Sequence, residues 1–245
     1  MRTSEKLMNL LMRGLRSVAL VGVVILLAAS GVQADEIKVM TSGAMSAALK
    51  ELTPAFERAS GSTLIIVSGG SVAGAPDSIP DRLARGERAD LARSSIGLAV
   101  RAGAAKPDIS TVEALTRALL QAKSVAYSSS VSGVYVSTEL FQRLGIASQM
   151  AAKSRKIESE PVGVAVARGD AELGFQQISE LRPVPGVEVV GPLPPAVQRV
   201  TIFSVAAAAG ATNPAGGRAL IRFLASPAAS AAIARSGMEP VTPNP

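Results

Sequence analysis

Serine and glycine cluster where three predicted strands run into helices. Ser42-Gly43 follows an apolar segment at residues 37–41, and similar turns lie at residues 68–71 and 128–133. A helix that begins at such a turn offers free backbone N–H groups, a hydroxyl and the positive end of its dipole, which together suit an anion. One such turn is weak evidence, because Ser and Gly are ordinary turn residues. Three turns at the shared carboxyl edge of an α/β sheet predict one anion site.

The sequence contains neither Cys nor His among its 245 residues. The absence of Cys excludes thiol catalysis, disulfides and thiolate metal sites. The absence of His excludes Ser-His-Asp chemistry and removes the commonest ligand of zinc and copper. We therefore expect no metal site and no cofactor.

Residues 1–34 have the pattern of a cleavable secretory leader. Arg13 and Arg16 precede an apolar run at residues 18–29, which is too short to span a bilayer, and Val32-Gln33-Ala34 is a small-residue cleavage site. A membrane anchor is the alternative interpretation. The pattern predicts a protein that is exported to the periplasm.

The charge and aromatic content argue against a nucleic-acid partner. The leader holds four of the 25 basic and one of the 19 acidic residues, which leaves 21 against 18 and a net charge of +3. Aromatic residues make up only 3% of the chain, whereas nucleic-acid sites usually combine basic and aromatic side chains. A mild positive bias fits a small anionic ligand.

Strand and helix patterns alternate along the rest of the chain. Strands are predicted at residues 37–41, 63–67, 94–101, 124–127, 171–176, 187–190 and 201–207, and helices at 47–58, 79–86, 110–123, 134–144, 162–168 and 214–224. Residues 90–93 are interpreted as a connector. The alternation predicts an α/β fold built on parallel strands.

The ordered segments resemble the periplasmic substrate-binding proteins of molybdate-type ABC uptake systems. The resemblance covers nearly all of the chain after the leader, and its motifs are residues 37–43, 70–71, 132–135, 160–163, 168–174, 223–227 and 237–240. It implies the type II periplasmic binding fold, with two lobes joined by a hinge that the chain crosses twice. Lobe 1 would comprise residues 35–102 and 196–245, and lobe 2 residues 103–195.

The resemblance also implies a set of ligand-binding positions in the cleft between the lobes. These positions are Ser42, Gly43, Ser71, Ser132, Gly133, Val162 and Gln177. Hydroxyls and backbone N–H groups hold a dianion well without a full counter-charge. Gln177 stands where the molybdate binders have a tyrosine, which suggests a different ligand, such as a carboxylate.

A second departure from the family pattern lies near Asp90. Relatives carry a further strand and helix there, so the first lobe is expected to lack one βα unit. Residues 85–93 hold five charged side chains and few apolar ones, from which we predict that they supply no internal strand. The predicted first-lobe sheet therefore consists of the strands at residues 37–41, 63–67, 94–101 and 201–207.

Three functions are compatible with these features. The first is capture of a small anion, a molybdate-like oxyanion or an organic carboxylate, by a monomer that delivers it to an ABC permease, its one link to the membrane. The second is an aconitate isomerase, because the resemblance extends to family members that are such enzymes. Its base would be Glu180, Asp77 or Tyr135. Glu180 and Asp77 are, however, expected to be solvated, and Tyr135 is expected to be a half-buried packing residue. The third is a sensor or interaction protein without transport.

Overall fold

A computed structural model describes residues 35–69, 88–208 and 210–241 of the chain. The strands are β1 (Glu36–Thr41), β2 (Thr63–Ser68), β3 (Arg88–Arg101), β4 (Val125–Ser128), β5 (Ser154–Ile157), β6 (Leu173–Gln177), β7 (Val187–Pro192), β8 (Val200–Ala206) and β9 (Glu239–Pro240). The predicted leader, Ser71 and Asp77 lie outside these residues.

Helices are observed in all five predicted segments that lie within the described residues, and the predicted helix at residues 79–86 lies outside them. The short helices at Ala147–Ala151 and Ile178–Leu181 and the strands β5 and β9 were not predicted. The helices are α1 (Gly43–Ser60), α2 (Val112–Gln121), α3 (Val131–Tyr135), a π-helical turn (Val136–Leu140), α4 (Phe141–Arg143), α5 (Ala147–Ala151), α6 (Val162–Arg168), α7 (Ile178–Leu181), α8 (Pro214–Leu224) and α9 (Pro227–Arg235), with a 3₁₀ turn at Pro195–Val197. Within the described residues, no helix is both long and apolar enough to span a membrane.

The long strand β3 pairs with four other strands, two sets of partners lying along its two halves. Its first half pairs with β8 in antiparallel register, from Arg88 opposite Ala206 to Ser95 opposite Val200, and with β9 at Ala92. Its second half pairs with β6 and β7, again antiparallel. The sheet order along that half is β5-β4-β6-β3-β7, with β4 parallel to both β5 and β6.

The prediction of a parallel architecture is therefore only partly right. The pairs β1–β2, β4–β5 and β4–β6 are parallel, but β3 is antiparallel to all four of its partners. The local β-α-β alternation predicts parallel neighbours only for strands that a helix connects directly. It carries no information about β3, whose partners come from distant parts of the chain.

The prediction that residues 85–93 supply no strand is wrong for residues 88–93. These residues form the start of β3, with a shift of register between Asp90 and Ala92. Leu91 and Ala92 are buried while Arg93 is exposed. This part of the strand therefore needs only two buried apolar residues. An uninterrupted apolar run is not required, because the register is irregular here and Arg93 faces solvent.

The predicted four-strand sheet of the first lobe is also not observed. Among the described residues, β1 and β2 pair only with each other, in a parallel ladder from Glu36 opposite Thr63 to Thr41 opposite Ser68. The segment predicted at residues 94–101 belongs mainly to the larger sheet. Ile65 and Ile66 of β2 remain 40% and 38% exposed, so this strand pair has less cover than the larger sheet.

Two hydrophobic cores lie on the two halves of β3. The first contains Leu49, Leu52 and Phe56 of α1, which pack with side chains of α8 and α9. The second surrounds the other half of β3 and is built largely from α2, β4, β6 and the helical segment that starts with α3. Leu91 and Ala92 belong to the first core, and Leu98 and Val100 to the second, so β3 is shared between them.

Candidate functional site

The first turn leaves a hydroxyl and several backbone donors without helix-capping partners. Ser42 has extended backbone angles, with φ −86° and ψ 165°, and its side chain makes no capping hydrogen bond. Its carbonyl accepts hydrogen bonds from the Met45 N–H and the Ser46 hydroxyl, both at 3.2 Å. Ser42 is half-buried and Gly43 is exposed. The first turn of the 18-residue helix α1 can therefore hold an anion through its N–H groups and the Ser42 hydroxyl.

A carboxyl group from α7 lies against this turn. A Cβ atom at Gly43 would come within 2.6 Å of the Glu180 Oε1 atom. Only a glycine permits this approach without displacing the carboxyl group. Gly43 and Glu180, which are 137 positions apart in the sequence, thus form one local site.

Glu180 is not solvated, which corrects the expectation from the sequence. It is only partly exposed, and burial raises the pKa of its carboxyl group from 4.5 to about 7. The polar groups of the Gln176 side chain and the Gln177 backbone act in the opposite direction and lower the pKa, but burial has the larger effect. A carboxyl group with this pKa can exchange a proton near neutral pH, as a general acid or base does.

The backbone N–H of Val162 is already used in a hydrogen bond. Its N–H, at the start of α6, donates a hydrogen bond of 2.8 Å to Gln176 Oε1. Val162 is fully buried and Gln176 is 5% exposed. A ligand that used this N–H, as the family resemblance implies, would have to replace the Gln176 carbonyl.

Gln177 lies between two strands. With both ends of its amide satisfied, the nitrogen donates to the Ser94 hydroxyl and carbonyl, each at 3.1 Å, and the oxygen accepts from the Thr201 hydroxyl at 2.8 Å. The residue is 3% exposed. Gln177 therefore ties β6 to β3 and β8, and its predicted contact with a ligand stays a prediction.

The polar groups of the third turn contact one another. The hydroxyls of Ser128, Ser130 and Ser132 form a triangle with distances of 2.7, 3.3 and 3.2 Å. A Cβ atom at Gly133 would lie 1.6 Å from the Ser128 carbonyl oxygen. Among the described residues, no hydrogen bond connects this serine triangle with the Gly43–Glu180 pair. The ligand roles predicted for Ser132 and Gly133 also stay predictions.

Tyr135 is a packing residue, as expected, but it is buried and not half-buried. It is 2% exposed, and its hydroxyl donates to the Val197 carbonyl at 2.6 Å while Arg143 donates to the same hydroxyl at 3.3 Å. The guanidinium of Arg199 lies 5.4 Å from the ring centroid. These contacts make Tyr135 part of the packing between α3 and the segment that precedes β8.

The described residues contain no group of three or more Asp and Glu side chains arranged to hold a metal ion. The chemistry that they do bring together consists of hydroxyls, backbone N–H groups and one carboxyl of raised pKa. Sequence reasoning named Glu180 but missed its burial, and it noted Gln176 beside Gln177 without giving it a role in the site. The available signal was the sequence Gln176-Gln177 at the end of an apolar strand with Glu180 one helical turn later.

Comparisons with known proteins agree with this picture. The family described as bacterial extracellular solute-binding protein matches residues 75–239. An aconitate isomerase from a Pseudomonas species is 42% identical over 232 residues, and the match covers 84% of this chain and 88% of that protein.

Solved structures share the fold at low sequence identity. The periplasmic molybdate-binding protein of Azotobacter vinelandii superposes with a TM-score of 0.58 at 22% identity, and the superposition covers 85% of this chain and all of that chain. Peb3 from Campylobacter jejuni superposes with a TM-score of 0.60 at 13% identity, covering 83% and 99% of the two chains. Another PEB3 structure, with L-phospholactate bound, gives a TM-score of 0.61 at 12% identity and the same coverage. These likenesses confirm the two-lobed α/β fold.

Proposed function

We propose that this chain, a member of the bacterial extracellular solute-binding protein family, isomerises a small tricarboxylate of the aconitate class by proton transfer. The observation that carries the proposal is the Glu180 carboxyl group beside Gly43, at the positive end of α1. A plain anion receptor has little use for a carboxylate at that position, because its negative charge repels the ligand. The curated relative with 42% identity is named for the same reaction class.

The reaction requires one base that removes a proton and returns it. Aconitate carries a methylene group between a carboxylate and its double bond. The Glu180 carboxylate removes a proton from the methylene carbon, and the electron pair left behind forms a new double bond as the old one becomes part of an extended enolate. The protonated Glu180 then gives its proton to the former alkene carbon. The double bond has moved, its geometry can change between trans and cis, and Glu180 ends as it began.

The first turn supplies the stabilisation that this step needs. Negative charge accumulates on the substrate carboxylates as the proton leaves, and fixed N–H groups with the Ser42 hydroxyl are suited to hold it. A pKa of about 7 gives Glu180 a large fraction of the carboxylate form near neutral pH and makes it a stronger base than an ordinary carboxylate. The same groups thus bind the anion and lower the barrier.

The direct experiment is incubation of the protein with trans-aconitate while the cis isomer is measured by chromatography. We expect turnover by the wild type and a loss of roughly 100- to 10,000-fold in Glu180→Gln. The matched control is Glu158→Gln, because Glu158 forms only an exposed ion pair with Lys156. A folded wild type without turnover, or a Glu180→Gln variant with full activity, would contradict the proposal.

The second candidate function is anion capture for import, with delivery to an ABC permease from the periplasm. The family membership and the uncapped first turn favour it. The proposed binding set remains Ser42, Gly43, Ser71, Ser132, Gly133, Val162 and Gln177, with the lobes and leader as predicted from the sequence. Titration calorimetry with molybdate, tungstate, sulfate and small di- and tricarboxylates tests it. Tight binding of one of these without turnover would favour capture over isomerisation.

A further inference from the structure

We propose that two glycines, Gly97 and Gly237, form a seat for the side chain of Ile178. The seat fixes α7 and thereby positions the Glu180 carboxyl group beside Gly43. This inference rests on the proposed isomerase function, in which Glu180 is the base. Ile178 is the first residue of α7, and Glu180 follows two positions later. A contact that fixes the start of this helix therefore also determines where the carboxyl group lies.

The first half of the seat is a close approach between β3 and α7. A Cβ atom at Gly97 would lie 2.6 Å from Ile178 Cγ1 and 3.4 Å from Ile178 Cδ1. Cγ1 is bonded directly to the branched Cβ atom of Ile178, whose χ1 angle is restricted, so the side chain cannot easily swing away. Gly97 cannot withdraw either, because it is buried and its backbone is paired with β6 at Gln176 and with β7 at Pro192. Only a residue without a side chain fits at this position.

The second half of the seat is the turn between α9 and β9. Gly237 has a φ of +92°, a conformation that favours glycine. A Cβ atom there would lie 3.2 Å from Ile178 Cγ2 and 3.4 Å from the Ile178 carbonyl oxygen. The two branches of the Ile178 side chain thus face one glycine each, which leaves the side chain little room to shift.

The helix α7 depends on such contacts because it is too short to be stable alone. It has four residues, and isolated helices of this length do not persist in water. A hydrogen bond to β3 also holds it, since the hydroxyls of Ser179 and Ser94 lie 3.4 Å apart and these residues are 1% and 2% exposed. Ile178 and Ser179 thus attach α7 to β3. Glu180, the next residue, reaches the turn at Gly43, where a Cβ atom would lie 2.6 Å from its Oε1 atom.

The test is a double-variant cycle in the trans-aconitate assay. In Gly97→Ala the new Cβ would displace Ile178 and α7 with it, so we expect kcat to fall roughly 100-fold, as a small misplacement of a reacting group can cause. KM should change less than about threefold, because the groups proposed to hold the anion belong to the start of α1. In an Ile178→Ala background, where the Cγ1 atom is gone, the same change at Gly97 should lower kcat by less than about threefold.

Gly191→Ala is the matched control. Gly191 lies in β7, and a Cβ atom there would lie 3.9 Å from Ile109 Cδ1, which is an ordinary contact, so kcat and KM should stay at the wild-type values. A Cβ atom at Gly97 would also lie 3.3 Å from the Gly191 carbonyl oxygen. A loss caused by that contact would not be relieved by Ile178→Ala. Equal losses of kcat in the two backgrounds would therefore overturn the inference.

A measurement without substrate separates this inference from the proposed function. In ¹⁵N-labelled protein the Gly43 amide signal, assigned by its loss in Gly43→Ala, should shift as Glu180 titrates, and this shift should vanish in Glu180→Gln. Gly97→Ala should reduce the shift, whereas Gly191→Ala should leave it unchanged. A shift that is reduced in this way in a protein without turnover would support the seat and refute the isomerase function. An undiminished shift in folded Gly97→Ala would overturn the seat, as would the absence of the shift from the wild type.

If Gly97→Ala does not fold, Ile178→Val and Ile178→Ala carry the test, because they empty the seat from the other side. The first removes only the Cδ1 atom, and the second removes both branches of the side chain. We expect kcat and the Gly43 shift to be reduced in both variants, and more in Ile178→Ala. A folded Ile178→Ala variant with the kcat and the Gly43 shift of the wild type would overturn the inference.

Discussion

The first and third strand-to-helix turns have the same kind of sequence and different structures. At the first turn the Ser42 hydroxyl makes no capping bond and Gly43 is exposed beside Glu180. At the third turn Ser132 is 2% exposed and its hydroxyl belongs to a triangle of serines, and Gly133 packs against backbone. A Ser-Gly turn can thus offer its donors to a ligand or use them up internally, and the surrounding residues decide which.

The glycines provide the largest expected difference between the two turns. In Gly133→Ala the new Cβ would lie 1.6 Å from the Ser128 carbonyl oxygen, which is rigid backbone, so we expect the free energy of unfolding to fall by more than about 4 kcal/mol. In Gly43→Ala the new Cβ would instead meet the end of the flexible Glu180 side chain, which can move away. The free energy of unfolding should therefore change by less than about 1 kcal/mol. Isomerase activity should be lost, because the Glu180 carboxyl group is displaced. Urea unfolding and the aconitate assay measure the two effects. Equal losses of stability would contradict the comparison.

Of the two turns, the first should make stability depend on pH, because Glu180 lies beside it. The pKa of Glu180 is raised in the folded protein from 4.5 to about 7, so the protonated form is favoured by folding. The stability of the wild type relative to Glu180→Gln should therefore be greatest below pH 4.5 and fall by about 3 kcal/mol as the pH rises past 7. Unfolding of both proteins at a series of pH values gives this difference. A flat difference would mean that Glu180 is solvated.

Removal of the Ser42 hydroxyl is expected to have the next largest effect, and to lower ligand affinity without lowering stability. In Ser42→Ala we expect ligand affinity to fall by roughly 1–3 kcal/mol, because a charged acceptor loses one donor. The melting temperature should hardly change, because the hydroxyl makes no capping bond. Calorimetric titration of wild type and variant with trans-aconitate is the measurement. An unaltered dissociation constant would place the ligand elsewhere.

The smallest expected effect is at the serine triangle. Ser128→Ala removes the hydroxyl that lies 2.7 Å from Ser130 and 3.3 Å from Ser132. We expect the free energy of unfolding to fall by about 1 kcal/mol, because two other hydroxyls keep one contact between them. Thermal unfolding reports this change. A larger loss of ligand affinity than of stability would show that the triangle belongs to the binding site.

The sequence predicted much of the secondary structure but not how the strands pair. The segments at residues 37–41, 124–127, 187–190 and 201–207 all lie within or overlap observed strands, because each has a local apolar pattern. The start of β3 was missed, because its charges indicate a connector and its pairing with β8 involves residues more than a hundred positions away. Local periodicity cannot report such a partner.

The candidate site was predictable in one part and hidden in another. Ser42 and Gly43 follow from a strand that ends at a helix. The burial of Glu180 does not follow from its polar neighbours, Gln176 and Gln177. Those amides point inward because β6 is a central strand, paired with β4 and β3 and covered on both faces. Only the sheet order converts a polar cluster into a buried one.

The continuous course of β3 has a mechanical consequence. Its 14 residues span about 45 Å when extended, and its pairing passes from β8 to β6 between Ser95 and Ile96. The Gln198 side chain fixes this point with two hydrogen bonds. It accepts one from the Ile96 N–H at 3.0 Å and donates one to the Ile96 carbonyl at 2.9 Å. Rotation of one half against the other must then be absorbed as torsion in a hydrogen-bonded ribbon. The hydrogen bonds of Gln198 and of the neighbouring strands therefore act against any twist of β3 between its two halves.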